Sequence, residues 1–500
     1  MVVPQKNELI LVASAISYSF PSSSPIENRK RSIYPSTQTP PSSLEPRNRD
    51  EEIQQTIRKY LMELFRGSQK ITLVLGIYLL HEDATTGKIS FNFWSKSTFF
   101  VFLRVFLIVF VGYLFLTYSD SYGAIFGGWG ETERFSHVLS VVTILICDSI
   151  FTFFSFRDVK NMTVFYANLY NFIFETTTLA VSTLGGIGGG SGHERRMILA
   201  QYIKRLKSIQ WSIDRKVYVI VVCSVLAYAC SIVPAWILAS TLQETEELDT
   251  VLLFGLPILN LVYVSLHNLR QVVYYAPIGA LKSIWFSLSV LNDLVSYEVT
   301  SKDDDEDDGK KGKKKEERIS KLLEQFQTVY DLVEDVNVRF QWILITGSIS
   351  LLVTITCSAF EFCTWSAAGG ILPVVVSLSC VLSNAMTFYE ICAASSDVTR
   401  EAKACMTLLR DVGPSVAHNR ELFHKITMWH MEGTIQPPTI SPGYFFTLRR
   451  RVLPPIVAML ITYLLVLVQF NLKDTENGSG EKDDVLEILR NHSLIAAYEN

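Results

Sequence analysis

RRRVLPPIVAMLITYLLVLVQF, residues 449–470, is the stretch whose reading decides how the rest of the chain is understood. Three arginines stand at one end, mostly apolar residues follow, and Gln469 and Phe470 close it. At about 1.5 Å per residue, about twenty such residues cross the roughly 30 Å hydrocarbon core of a bilayer. Gln469 is costly against lipid unless it has a partner, so it is expected to face protein or water. Val466, Gln469 and Phe470 lie three and four residues apart and so share one helical face. That placement suits a helix–helix packing face as well as the wall of a pore, and the residues alone leave both open.

Outward from this stretch, other windows of similar length are also nearly free of charge. The 500 residues are 49% hydrophobic and 12% aromatic, a pattern that excludes an ordinary soluble enzyme. A formal net charge of −4 gives no signal for nucleic acid. We draw transmembrane helices at 98–117, 135–156, 217–240, 251–267, 340–360, 371–392 and 452–470. The expected fold is therefore all-α, a multi-pass membrane protein with seven transmembrane helices. Residues 157–216 and 268–339 carry many lysines and arginines, and Arg449, Arg450 and Arg451 precede the last span. On the alternate side, 119–134 holds only Arg134, while 241–250 and 361–370 hold none. Basic loops stay in the cytoplasm, which predicts a cytoplasmic N-terminus and an extracellular C-terminus.

The remaining segments follow from composition. Residues 1–50 are Pro- and Ser-rich and are expected to be a disordered cytoplasmic tail. Residues 51–97 open with Ile53, Ile57, Leu61 and Leu64 at helical spacing, an amphipathic cytoplasmic helix and lead-in. The channel-sized helical domain then occupies 98–470, and 471–500 form an outer tail. Residues 163–184 are apolar but contain Asn168, Asn171 and Glu175, so they are read as a cytoplasmic or interfacial helix. Residues 272–294, interrupted by Lys282 and Asp293, are read as a cytoplasmic continuation of the fourth helix. DDDEDDGKKGKKKEER at 303–318 predicts a solvated charged loop over 301–317. Residues 319–338 then resume a helix leading into the fifth span. Pro454 and Pro455 predict a kink near the inner end of the last helix.

Catalytic and metal chemistry find nothing to rest on. GGIGGGSG at 185–192 lacks the following Lys-Ser/Thr of a phosphate loop and reads as a linker. His418, His424 and His430 recur every six residues, so they point about 120° apart on a helix rather than at one metal. The eight cysteines include no CxxC pair and read as buried thiols; Cys357 and Cys363, placed beside an outer loop, leave a local disulfide open. No cofactor is implied. Asn477 and Asn491 begin Asn-x-Ser triplets on the predicted outer side and are candidate glycosylation sites.

Thr462 and Tyr463, five aliphatic residues at 464–468, then Gln469 and Phe470 resemble the TYhhhhhQF signature of arthropod gustatory receptors. LGIYLL at 75–80 is similar to the segment before that family's first span. The resemblance implies a taste receptor of the plasma membrane, a seven-helix ligand-gated cation channel with the inverted topology derived above. It implies a homo- or hetero-tetramer in which four copies of the last helix line the pore. Val466, Gln469 and Phe470 would then be pore-lining, with Thr462 and Tyr463 supporting the helix. It also implies a cytoplasmic anchor holding the subunits, here drawn from 282–294, 319–338 and 419–431. The ligand would be a small-molecule tastant in an outward-facing pocket. By depth, the pocket candidates are Tyr228, Trp236, Asn260, Tyr263, Thr354 and Thr356, although packing explains these residues equally well. A G-protein-coupled receptor would need an external N-terminus, a DRY-like triplet after the third span and an NPxxY-like end to the seventh, and none is present there. A secondary transporter would need internal repeats, and none is evident.

Overall fold

The computed structural model describes residues 54–59, 80–82 and 89–91, isolated positions between 102 and 113, and then 131–157, 159–185, 192–243, 250–300 and 308–477. Side chains at 223–243, 250–270 and 471–477 are outside the described set, as is most of the first predicted span. Two three-residue strands, β1 (Leu80–Glu82) and β2 (Ile89–Phe91), pair antiparallel with Leu80 opposite Phe91. All other described elements are helical. They are α1 (Glu131–Arg157), α2 (Val159–Leu184), α3 (Gly192–Gln243), α4 (Thr250–Thr300), α5 (Asp308–Arg339), α6 (Gln341–Ala367), α7 (Ile371–Val412), α8 (Arg420–Ile435) and α9 (Leu453–Asn477).

Length alone divides these helices into two zones. α3 and α4 have 52 and 51 residues, which makes each about 75 Å long, more than twice the thickness of a hydrocarbon core. Each must leave the bilayer while still helical. The half of α4 at Val273–Thr300 is apolar enough to cross a membrane, yet 67% of it is buried inside the protein. Its apolar residues serve a protein core and need no lipid. Gln341–Thr364, Val374–Val416 and Arg450–Phe470 are the other described segments that are long and apolar enough to cross.

The core sits where the extended ends of α4 and α7 meet α2, α3, α5 and α8. Phe165, Leu169, Phe172 and Ile173 of α2, at helical spacing, are all buried. The Phe165 ring meets Phe340 edge to face at 5.5 Å. Thr176 donates to the Phe172 carbonyl and to Gln325 Oε1, and Gln325 donates to Glu175 Oε2 at 3.2 Å. The polar residues of α2 thus bind α5, and its apolar face fills the base. Ile57 of the N-terminal segment joins the same core, and Arg58 lies over the Phe174 ring at 4.9 Å.

Three sequence expectations change. The charged stretch is helical from Asp308 onward, eleven residues before the helix expected from 319. Partners outside the stretch account for this: Arg318 bonds Glu298 of α4 through Nε at 2.7 Å. Glu316 also receives Asn419 Nδ2 at 2.8 Å and meets His418 Nε2 at 2.6 Å, so α8 starts against the start of α5. The Asn419 bond, followed by that of His418, holds the Glu316 carboxyl below the usual carboxylate range. The second change concerns Cys357 and Cys363. Both lie within α6 and both thiols are free. Six residues apart on a helix, they project about 120° apart, a geometry that forbids a bridge. Third, Pro454 and Pro455 occupy the first turn of α9 rather than its interior. There the missing N–H has no intrahelical acceptor to lose, so the prolines start the helix instead of kinking it.

Candidate functional site: the last helix and its seating

α9 is held on one side only. Leu453, Ile456, Leu460, Leu464 and Leu467 recur at three and four residues and, with Val468, are its partly buried positions. This stripe packs against α6 and α1. At about 100° per residue, Gln469 projects roughly opposite Leu460. Gln469, Thr462, Leu465, Val466 and Phe470 are exposed, Phe470 at 57%. None of the Arg450–Phe470 window is buried, against 56% of the span in α6. A helix this apolar with an unseated face needs lipid or another copy of itself on that face.

Of the predicted signature residues, Thr462 is satisfied within its own helix, its hydroxyl donating to the Ala458 carbonyl at 3.0 Å. Tyr463 is 56% exposed. Val466, Gln469 and Phe470 are brought together on the unseated side. The pocket candidates are distributed differently. Thr354 is buried and donates to the Ser350 carbonyl at 2.8 Å, and Thr356 donates to the Leu352 carbonyl at 2.9 Å. Each hydroxyl's proton is therefore donated to the α6 backbone, with its oxygen still able to accept. Tyr228 and Trp236 fall on α3, and Asn260 and Tyr263 on α4; their side chains are outside the described set. Asn477 ends α9, while Asn491 is outside the described residues.

The segment that delivers the chain into α9 is fastened to the base. Asn337 of α5 donates to the Thr439 carbonyl at 3.0 Å and accepts from the Ser441 N–H at 2.8 Å. Thr399 of α7 donates to the Pro438 carbonyl. Gly443, at φ 55°, turns the chain where a Cβ would meet the Phe445 ring at 3.1 Å. Asn337→Ala would leave two backbone groups unpaired in a nearly dry site, a loss of about 1–3 kcal/mol. We expect lower surface expression and a lower melting temperature in detergent, and Asn337→Asp should not spare them, because its second oxygen would face the Thr439 carbonyl with no proton to donate.

Sequence reading missed the polar seam along α7. Gln271 of α4 donates to Ser383 Oγ at 2.8 Å and Asn384 Oδ1 at 3.2 Å. Further along, Glu390 receives Lys216 of α3 and Lys282 of α4, the latter at 3.0 Å. Asn292 of α4 donates to Glu401 Oε1 at 2.7 Å. The signal was present: a lone glutamate near one end of an apolar span demands a cation from another helix. Among the described residues no His/Cys/Asp/Glu group could hold a metal ion.

Residues 70–474 match the family model described as 7tm chemosensory receptor. No curated protein matches the chain by sequence. The fold is similar to the insect olfactory receptor OR5 from Machilis hrabei solved in complex with eugenol, with TM-score 0.55 and 11% identity over 82% of this chain and 99% of that one. It is equally similar to the structure of that receptor alone, with TM-score 0.54 and 12% identity over the same shares. With four-fifths of its length inside the family match, this multi-pass membrane protein belongs to the 7tm chemosensory receptor family.

Proposed function

We propose that the protein is a taste-type receptor that is itself a ligand-gated, non-selective cation channel. Four subunits would place their α9 helices around one conduction path, with Val466, Gln469 and Phe470 toward it. The observation that carries this reading is the one-sided seating of α9: its apolar stripe is packed, and the face bearing Gln469 is not. Apolar rings gate by dewetting, and a ring of glutamine amides replaces part of an ion's water. Thr462 and Tyr463 would support the pore helix. A small-molecule tastant would bind among α3, α4 and α6, near Tyr228, Trp236, Asn260, Tyr263, Thr354 and Thr356.

Assembly has a second support. Phe423, Met431 and Ile435 on α8, with Tyr444 and Phe445 beyond it, are exposed, Phe445 at 79%. Contacts there would join the bases of neighbouring subunits in a homo- or hetero-tetramer. The reading also places the N-terminus in the cytoplasm and the C-terminus outside the plasma membrane. An epitope at Met1 should therefore be stained only after permeabilisation, and one after Asn500 in intact cells. Asn477 and Asn491 would then be open to glycosylation. Staining of the N-terminal epitope in intact cells would reverse the topology and remove the channel reading. Function is tested by expressing the chain alone in oocytes and recording current against sugars, amino acids and bitter compounds. A compound-evoked cation current is expected; silence from protein shown to be at the surface would contradict it.

A further inference from the structure

Glu390, Asp397 and Glu401 follow one another on α7 at intervals of seven and four residues. At about 100° per residue they fall within roughly 20° of a common line. Each grips something different. Glu390, its side chain 11% exposed, joins Lys216 of α3 to Lys282 of α4. Asp397 receives Arg450 Nη2 at 3.0 and 3.2 Å, and Ser396 Oγ accepts the Arg450 backbone N–H at 2.8 Å. Glu401 accepts from Asn292 of α4. Arg450 stands three residues before α9 begins. One stiff helix thus has α3 and α4 clamped at one point and the inner end of the last helix clamped about 10 Å further along.

These contacts differ in kind from the rest of the seating of α9. The stripe from Leu453 to Leu467 is apolar, and such surfaces slide at little cost. The Arg450 contact is a charge-assisted pair in which the one Nη2 atom is shared by both Asp397 oxygens, with an added backbone bond to Ser396, and it is directional where the apolar stripe is not. Glu390 is equally constrained: withdrawing it would leave two lysines facing each other with no counter-charge. Movement of α3 or α4 therefore shifts α7, and α7 cannot shift without changing the Arg450 contact.

We propose that Glu390 and Asp397 are positioning residues of the gate, with α7 relaying displacement of α3 and α4 to the inner end of α9 and the Asp397–Arg450 contact holding the closed position. The proposal rests on the channel reading above. Its physical scale is adequate, because a two-state gate responds to small differences. An exposed ion pair of this type shifts such an equilibrium by up to about fivefold.

The test is the spontaneous current of the full chain in oocytes, expressed as a fraction of maximal current and normalised to surface protein. Asp397→Asn and Arg450→Gln should each raise it about fivefold. The exchange Asp397→Arg with Arg450→Asp should return it to within about twofold of wild type, a rescue that a merely structural role does not give. Arg400, which also meets Asp397, is 64% exposed and free to turn away. Glu390→Gln with Asp397→Asn should raise the fraction no further than the larger single effect, since both act on one path. Arg410→Gln, which removes an exposed pair with Asp411 on the same helix, should change nothing. Single variants equal to wild type, or an exchange that fails to restore it, would overturn the relay while leaving the channel. Absence of current from wild type and every variant at normal surface levels would overturn the channel reading and the relay together.

Discussion

A chain carrying Gln469→Arg is expected to reach the surface in normal amount and to pass no measurable cation current. The side chain it replaces is exposed and opposite the packed stripe of α9, so folding loses little. Four arginines around a narrow path are a different matter. At about 10 Å and an effective dielectric near 20, each repels a monovalent cation by about 1.7 kcal/mol, so the ring contributes about 7 kcal/mol. That lowers conduction by more than about ten-thousandfold. Gln469→Ala, lacking the charge, should instead alter the relative permeability of monovalent and divalent cations. Phe470→Ala should raise current without ligand, because a smaller ring of apolar groups wets more easily. Leu464 and Leu467 belong to the seated stripe; their alanine variants should lose stability with little change in selectivity. Current is compared with surface-biotinylated protein in each case. If all the variants behave alike at equal surface amounts, α9 does not line the pore.

Phe340→Ala is expected to be the most damaging single truncation in the base. The residue is fully buried at the junction of α5 and α6, and its ring meets Phe165 of α2. Removing it takes away transfer free energy and leaves a cavity where three helices join, a loss of about 3–5 kcal/mol. Membrane proteins with so small a reserve do not reach the surface. Detergent-solubilised protein should melt well below wild type, and Phe340→Leu should recover much of the difference. A wild-type melting temperature for Phe340→Ala would mean that the base is not one packed unit.

Much of this architecture could be read from the chain. Residues 449–470 announced a membrane helix with a polar end, and the structure gives α9 the one-sided seating that such a helix needs if it meets copies of itself. The helical continuation of α4 was legible too. Lys282 and Asp293 marked the second half of α4 as something other than a lipid-facing span, and burial of Val273–Thr300 supplies the reason. Local reasoning fell short where partners come from distant parts of the chain. Adjoining blocks of opposite charge read as a loop until Glu298, His418 and Asn419 are placed beside them; then Asp308 onward is helix. Prolines inside an apolar run read as a kink until the helix is seen to begin at Leu453. The α7 seam was invisible for the same reason, since Lys216 and Lys282 are 174 and 108 residues from Glu390. Thr354 and Thr356 donate their hydroxyls to carbonyls of their own helix, a use that depth along the span did not reveal.

The central claim, that this receptor carries its own ion path, is tested most directly with purified protein in a planar bilayer and no other polypeptide present. The bathing solutions would hold sodium on one side and potassium on the other. A compound found active in oocytes is then added to the face corresponding to the cell exterior. The account predicts discrete current steps, a reversal potential near zero, and loss of both in the Gln469→Arg protein. A compound that binds the purified chain yet evokes no current there, while raising a second messenger in intact cells, would contradict it.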